Sequence, residues 1–151
     1  MDMINTDSDG SLQRFRVAQD RGNPSHYELA IAELQEGRKS SHWIWFVLPQ
    51  LRGLGQSPTA RHFGIADLCE ARAYLADDIL KKRLEQVIGI IYVQLEQPNH
   101  SLNHLMGSDL DANKTISSLT LFEAAGLISA SNLLDQLNQR CQSTIALLNK
   151  S

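Results

Sequence analysis

Apolar residues recur at helical spacing between residues 80 and 95, and this stripe restricts the fold more than any other feature of the sequence. The stripe consists of Leu80, Leu84, Ile88, Ile91 and Leu95, and it is widened by Val87, Ile90 and Val93. A helix that is apolar around most of its circumference must be enclosed by other elements. The pattern therefore predicts a long helix, beginning at Asp77 or Asp78, in the centre of the core.

The rest of the chain carries the start and stop signals of shorter helices. Ser25 stands three residues before Glu28, the spacing of a capping box, and Gly37 follows the last apolar residue of that helix. Asp67 and Glu70 form a second pair of this kind. These signals predict an all-α fold, with short helices packed around one long central helix.

Length and charge narrow the class of protein further. A chain of 151 residues is expected to form a single domain. We assign that domain to residues 11–151 and expect residues 1–10 to be a disordered tail. A formal net charge of -3 argues against general nucleic-acid binding. The acidic N-terminus is unlike a signal peptide, and the apolar runs fall short of the ~18 residues of a membrane span. We therefore expect a soluble, cytoplasmic protein without membrane contact.

The two cysteines give no sign of a disulfide or a metal site. Cys69 and Cys141 are far apart, and neither belongs to a Cys-x-x-Cys pair. Both are expected to be reduced, buried thiols without a catalytic role.

The segment Gly37–Ala66 is the part of the sequence that calls for a functional explanation. It contains both tryptophans and four of the nine glycines, but no Asp or Glu. Its basic side chains are those of Arg38, Lys39, His42, Arg52, Arg61 and His62. Arginine forks, aromatic faces and glycine backbone amides suit a planar anionic ligand. The alternative is structural, with the tryptophans in the core and the cations in solvent.

The conformation of Trp43–Leu48 is open from the residues alone, because its β-branched and aromatic residues fit a strand while its place before Pro49 also fits a buried helix. In a helix from Ser40 to Leu48, His42 and Trp45 would share one face.

Familiar catalytic and cofactor motifs are broken in this sequence. Gly53-Leu54-Gly55 begins like a dinucleotide loop, but Pro58 occupies the place of the third glycine. His100 and His104 have the spacing of metal ligands on a helix. Ser101 is expected to be the N-cap, however, so His100 would lie outside the helix and the two side chains need not meet. We predict no metal site and no cofactor.

The residues of the acid-free segment resemble a known family. The run from Gly37-Arg38-Lys39 through His42-Trp43-x-Trp45-Phe46 to Ala60, followed by Ala71–Leu75 and Ser117-Ser118-x-Thr120-Leu121-Phe122, is similar to the domain-of-unknown-function family 1810. The resemblance implies an all-helical single domain, α–α superhelix-like, with Trp43–Leu48 in a helix. It implies no established activity. The family's motif residues correspond here to Arg38, Lys39, His42, Trp45, Gln50, Ser57, Arg61, Lys114 and Ser118.

Two functions remain as hypotheses. The first is binding of a small anionic ligand, phosphate- or nucleotide-like, in a pocket beside His42 and Trp45. In that case the other motif residues contact the ligand, and His42 is the candidate acid or base of any reaction, because histidine is the side chain that most often transfers protons in catalysis. The second is a non-catalytic module that binds a protein or peptide through the same aromatic and basic patch. Whether the protein is an enzyme, and its oligomeric state, are left open by the sequence.

Overall fold

The computed structural model describes the backbone of residues 3–150 and the side chains of residues 12–150. Within this part of the chain it is all-α, in agreement with the prediction. The helices are α1 (Met3–Asp20), α2 (His26–Glu36), α3 (Ile44–Val47), α4 (Pro58–Phe63), α5 (Leu68–Ala76), α6 (Asp78–Leu95), α7 (Leu102–Met106), α8 (Asp109–Ala124), α9 (Ile128–Leu137) and α10 (Gln142–Lys150). None of the helices described is both long and apolar enough to cross a membrane.

The predicted tail over residues 1–10 overlaps the start of α1. The side chains of these residues, and the backbone of residues 1 and 2, lie outside the described part. The disordered tail therefore stays a prediction.

Local capping determines where most helices begin and end. Ser25 and Glu28 form the expected capping box of α2, and Gly37 ends that helix in the left-handed conformation with φ 100°. Asp67 caps α5 and Asp77 caps α6, each accepting a hydrogen bond from a backbone N–H of the first turn. The predicted N-caps are confirmed, because a cap depends on residues three or four positions apart. The second capping box is not completed, since the carboxylate of Glu70 accepts from the N–H of Ala66.

Helix α6 carries the predicted stripe into the core. Leu80, Leu84, Ile88 and Ile91 are all at most 2% exposed. The widening of the stripe is less complete than predicted, because Val93 is exposed. Burial of this face against α2, α5 and α9 contributes much of the stability that the fold gains from the hydrophobic effect.

Helix α8 shares the centre of the molecule with α6. Every residue from Thr115 to Phe122 is buried, so this stretch is enclosed on all sides. Its hydroxyls are mostly satisfied within the protein: the Oγ of Ser117 lies 2.9 Å from the Oγ1 of Thr144 in α10. Ser108 is the N-cap of this helix, and its side chain accepts a hydrogen bond from the N–H of Asp111.

The segment Gly37–Ala66 contains two short helices, and Trp43–Leu48 is not a strand. A backbone pairing, with Arg52 N–H donating to the carbonyl of Ile65, ties the loop after α3 to the residues after α4. The helix that the resemblance implies for Trp43–Leu48 is present as α3, a single turn from Ile44 to Val47, and it does not extend back to Ser40.

Both cysteines are free thiols, but their burial was predicted incorrectly. Cys69 is exposed and Cys141 is half-buried. Nothing in the sequence around an isolated cysteine distinguishes these positions.

Candidate functional site

An open groove of about 370 Å³ lies between the acid-free segment, α8 and the start of α10. The segment contributes Trp45 from α3 and the loop from Leu54 to Ser57, and α8 contributes Lys114. Cys141 and Ser143 form the remaining wall. Of the described residues that line this groove, none is Asp or Glu, and Lys114 is the one Lys or Arg.

The lysine of the groove rests on a tryptophan ring. The Nζ of Lys114 lies 3.6 Å from the centroid of Trp45, within the range of a cation–π interaction. Burial lowers the pKa of Lys114, the Asp111 carboxylate opposes this, and the ammonium of Lys39 lowers the pKa further. The cation is therefore held in place by an aromatic face, with less water around it than a surface lysine has.

Behind the groove, the carboxylate of Asp111 pairs with two lysines, Lys39 and Lys114. Asp111 accepts a hydrogen bond of 2.7 Å from the Nζ of Lys39, whose side chain is only 5% exposed. The other carboxylate oxygen lies 3.9 Å from the Nζ of Lys114, one turn further along α8. The closer and more buried contact belongs to Lys39. The ion pair of Lys114 with Asp111 is therefore the weaker of the two, and the ammonium group of Lys114 can still bind an anion in the groove.

Glu33 of α2 fixes the chain that leads into α3. One carboxylate oxygen accepts hydrogen bonds from the backbone N–H groups of Ser40 and Ser41 and from the indole Nε1 of Trp43, at 2.8, 3.0 and 2.9 Å. The other accepts from the hydroxyl of Ser41. Burial raises the pKa of Glu33, but the four hydrogen bonds outweigh it and bring the pKa to about 2. Glu33 is therefore ionised at neutral pH and orients the residues that precede Trp45.

A close packing contact shapes the loop wall of the groove. A Cβ added at Gly55 would lie 2.7 Å from the Cβ of Ala60, so the loop can pack this closely on α4 only with glycine there. Ser57 caps α4 by accepting a hydrogen bond of 3.1 Å from the N–H of Ala60. Its hydroxyl hydrogen is still free to be donated to a ligand.

A small space adjoins the groove and shares Trp45, Gln50, Ala60 and Lys114 with it. Its volume of about 10 Å³ corresponds to room for roughly one water molecule. A ligand larger than water would therefore have to sit in the open groove.

The structure brings four of the sequence-predicted site residues together. Trp45, Gln50, Ser57 and Lys114 all line the groove, although Lys114 is more than fifty positions away in sequence from the other three. Only the family resemblance had indicated that α8 contributes to the site. In the structure, Lys114 of α8 faces the acid-free segment across the groove.

The other predicted site residues do not line the groove. Arg38, His42 and Arg61 are exposed elsewhere on the surface, and Lys39 is buried against Asp111. His42 precedes α3, so it does not share a helical face with Trp45. Ser118 is fully buried, and its hydroxyl has no hydrogen-bond partner. None of Arg38, Lys39, His42 and Arg61 lines the groove beside Trp45.

Several groove residues were missed in the sequence. Leu110, Asn113 and Ser117 line the groove with Lys114, and their positions follow the i, i+3, i+7 spacing of one helix face. That spacing, counted from Leu110, would have selected Ser117. Cys141 and Ser143 carried no comparable signal, since they reach the groove only through the packing of α10 on α8.

The described residues offer no metal centre. Within residues 12–150, no three His, Cys, Asp or Glu side chains come together in a way that could hold a metal ion. The chemistry of the groove is that of one ammonium group, an aromatic ring, side-chain amides and hydroxyls.

Fold and groove define an all-α protein with a polar groove that carries one lysine. The family model described as "Protein of unknown function (DUF1810)" matches residues 9–147, and the chain belongs to this family. The chain is also similar to the conserved hypothetical protein Rv1873 from Mycobacterium tuberculosis, for which a crystal structure is known. The two share 39% sequence identity, over 91% of this chain and 96% of that chain, with a TM-score of 0.81. No curated protein sequence matches the chain significantly.

Proposed function

We propose that this protein binds a small anionic ligand in the groove between Trp45 and Lys114. The observation that carries the proposal is the position of Lys114, a partly desolvated ammonium group in a groove without a lining carboxylate. An anion would supply the countercharge that Asp111 gives mainly to Lys39. Charge-assisted hydrogen bonds of this kind are about twice as strong as neutral ones.

The polar lining supports a ligand of phosphate or nucleotide type. Gln50 and Asn113 present amides and Ser57 presents a hydroxyl around the lysine. We assign no reaction to the site, because His42 does not line the groove and so is not positioned to transfer a proton there. The cytoplasmic location expected from the sequence stays part of the proposal.

The alternative function, a module that binds proteins or peptides, requires a flat and exposed aromatic patch. Trp45 is half-buried in a concave groove, and Arg38 and Arg61 do not extend the groove as a basic surface. These observations favour the small ligand over the protein partner.

Titration of the protein with simple carboxylates, cyclic nucleoside monophosphates, nucleoside monophosphates and sugar phosphates, followed by tryptophan fluorescence, tests the proposal. We expect Lys114→Gln to weaken binding by roughly 1.5–3 kcal/mol, because a charge-assisted contact is lost. The matched control is Lys82→Gln, which removes an exposed lysine from α6 and should leave binding unchanged. Equal binding by wild type and Lys114→Gln, or binding of no member of the panel, would contradict the proposal.

A further inference from the structure

We propose that the groove selects a singly charged oxyanion, a carboxylate or a phosphodiester, over a doubly charged one. This inference rests on the proposed function and specifies the ligand class of the same site. It follows from the number of charges that the structure places in and behind the groove, rather than from the presence of a cation alone.

The charges around Lys114 leave one positive charge for a ligand. Two ammonium groups, of Lys39 and Lys114, face the one carboxylate of Asp111. Lys39 is buried by its contact with Asp111 and does not line the groove. A monoanion would balance the remaining charge, whereas a dianion would leave a negative charge without a partner in a partly desolvated site.

The arginines of the acid-free segment do not add to this charge. Arg38, Arg52 and Arg61 are exposed and are absent from the lining of the groove. Groups that carry two or more negative charges are commonly held by several cations or by the bidentate fork of arginine. The groove has neither, so its electrostatics match a single charge.

The remaining polar groups of the groove suit the neutral part of such a ligand. Gln50, Gln56 and Asn113 contribute amides, which both donate and accept hydrogen bonds, and Ser57 and Ser143 contribute hydroxyls. The ammonium of Lys114 already covers one face of Trp45. Trp45 therefore positions the ammonium group of Lys114, and the amides and hydroxyls of the groove would recognise the uncharged part of the ligand.

The test compares simple anions of different charge, so that the result does not depend on the ligand body. The probes are acetate and dimethyl phosphate with one charge, methyl phosphate and sulfate with two, and uncharged trimethyl phosphate. Binding is measured from the NMR shift of the Trp45 indole N–H at constant ionic strength and pH 7.5, where methyl phosphate is mostly doubly charged because its second pKa is about 6.

We expect at least one of acetate and dimethyl phosphate to bind about threefold or more tighter than methyl phosphate and sulfate. The member that binds identifies the source as carboxylate or phosphodiester. Lowering the pH to 5.5 should raise the affinity for methyl phosphate, which then carries one charge, and leave that for sulfate unchanged. Lys114→Gln should reduce monoanion affinity roughly tenfold or more. Lys114→Arg, which keeps the charge, should retain most of it.

The outcomes separate this inference from the proposed function. Tighter binding of sulfate and methyl phosphate than of both monoanions, with dependence on Lys114, would overturn the charge selection and leave the anion site standing. Binding of trimethyl phosphate equal to that of the anions, or binding of none of the probes, would overturn both. Thermal melting of each variant shows whether the fold is retained, and Lys114→Arg provides the comparison if Lys114→Gln is destabilised.

Discussion

At the scale of single residues, Glu33 has the largest structural role in the acid-free segment although it lies outside it. Its carboxylate accepts four hydrogen bonds from Ser40, Ser41 and Trp43, which is close to the full capacity of the group. These contacts fix the chain just before α3. Glu33 therefore determines how Trp45 enters the groove without contacting a ligand itself.

The depressed pKa of Glu33 predicts acid sensitivity of the fold. Because the pKa is about 2 in the folded protein and 4.5 without these contacts, the carboxylate stabilises the fold fully above pH 4.5. This contribution is lost as the pH falls from 4.5 towards 2. We expect Glu33→Ala to lower the free energy of unfolding at pH 7 by roughly 1.5–3 kcal/mol, since hydrogen bonds to a charged acceptor disappear.

Urea denaturation at pH 7 and pH 3 measures both effects. Glu33→Gln keeps an acceptor but cannot titrate, so its loss of stability between the two pH values should be smaller than that of wild type. The same pH dependence in wild type and Glu33→Gln would show that the carboxylate does not act as described.

Contacts between residues far apart in sequence explain why the sequence predicted the helices but only part of the candidate site. A cap such as Ser25 with Glu28 is local and can be recognised from spacing. The contact between Lys39 and Asp111 joins residues 72 positions apart, and no pattern along the chain indicates it. The absence of acids between Gly37 and Ala66 was therefore interpreted as an unmet charge. In the folded protein, Asp111 supplies the countercharge of Lys39 from α8.

At the scale of elements, the loop between α3 and α4 is held in position by contacts that tolerate little change. Its backbone pairs with Ile65 on the far side of α4, and Gly55 packs directly against Ala60. The loop is therefore tied to α4 both by backbone hydrogen bonds and by a close packing contact. The family resemblance indicated that the segment was helical, but not that α3 would be limited to one turn.

Two glycine substitutions should have opposite effects. Gly55→Ala places a Cβ 2.7 Å from that of Ala60 and should lower the free energy of unfolding by about 1–3 kcal/mol, because the loop must move. Gly89 lies inside α6 with no atom within 4 Å of an added Cβ. Gly89→Ala should therefore raise stability by roughly 0.5–1 kcal/mol, through the lower conformational entropy of the unfolded chain.

Chemical denaturation of both variants provides the measurement, and Gly55→Ala combined with Ala60→Gly is the control. The double variant removes the clash, so part of the stability lost in Gly55→Ala should return. If Gly55→Ala were as stable as Gly89→Ala, the close contact between the loop and α4 would be contradicted.

At the scale of the whole molecule, α6 and α8 each carry a large part of the core, and α5, α7 and α9 pack on both of them. The sequence predicted α6 correctly, because its apolar side chains repeat with the period of a helix. It did not show that α8 is equally enclosed, since the buried stretch from Thr115 to Phe122 includes four hydroxyl side chains. Such residues are mostly exposed in proteins, and only the packing of α10 reveals the partner of Ser117.

Shortening a buried side chain of α6 should lower the free energy of unfolding of the whole protein. Leu84 is 1% exposed, so we expect Leu84→Ala to lower the free energy of unfolding by about 2–5 kcal/mol through loss of burial and formation of a cavity. Ile79→Ala, on the exposed side of the same helix, should cost about 0.5 kcal/mol or less. Thermal or urea unfolding measures both, and equal losses would contradict the central position of α6.

The shared carboxylate of Asp111 has a consequence for how this protein can diversify. Asp111 does not line the groove, yet it sets how much positive charge the groove carries, and it also neutralises the buried Lys39. A substitution that removes its charge would change the net charge beside the groove, on which the proposed anion selectivity depends, and would also leave the buried ammonium of Lys39 without its carboxylate partner. A substitution of Asp111 would therefore affect both the proposed ligand preference and the stability of the fold. At position 111, one of them could change without the other only if Lys39 were replaced together with Asp111.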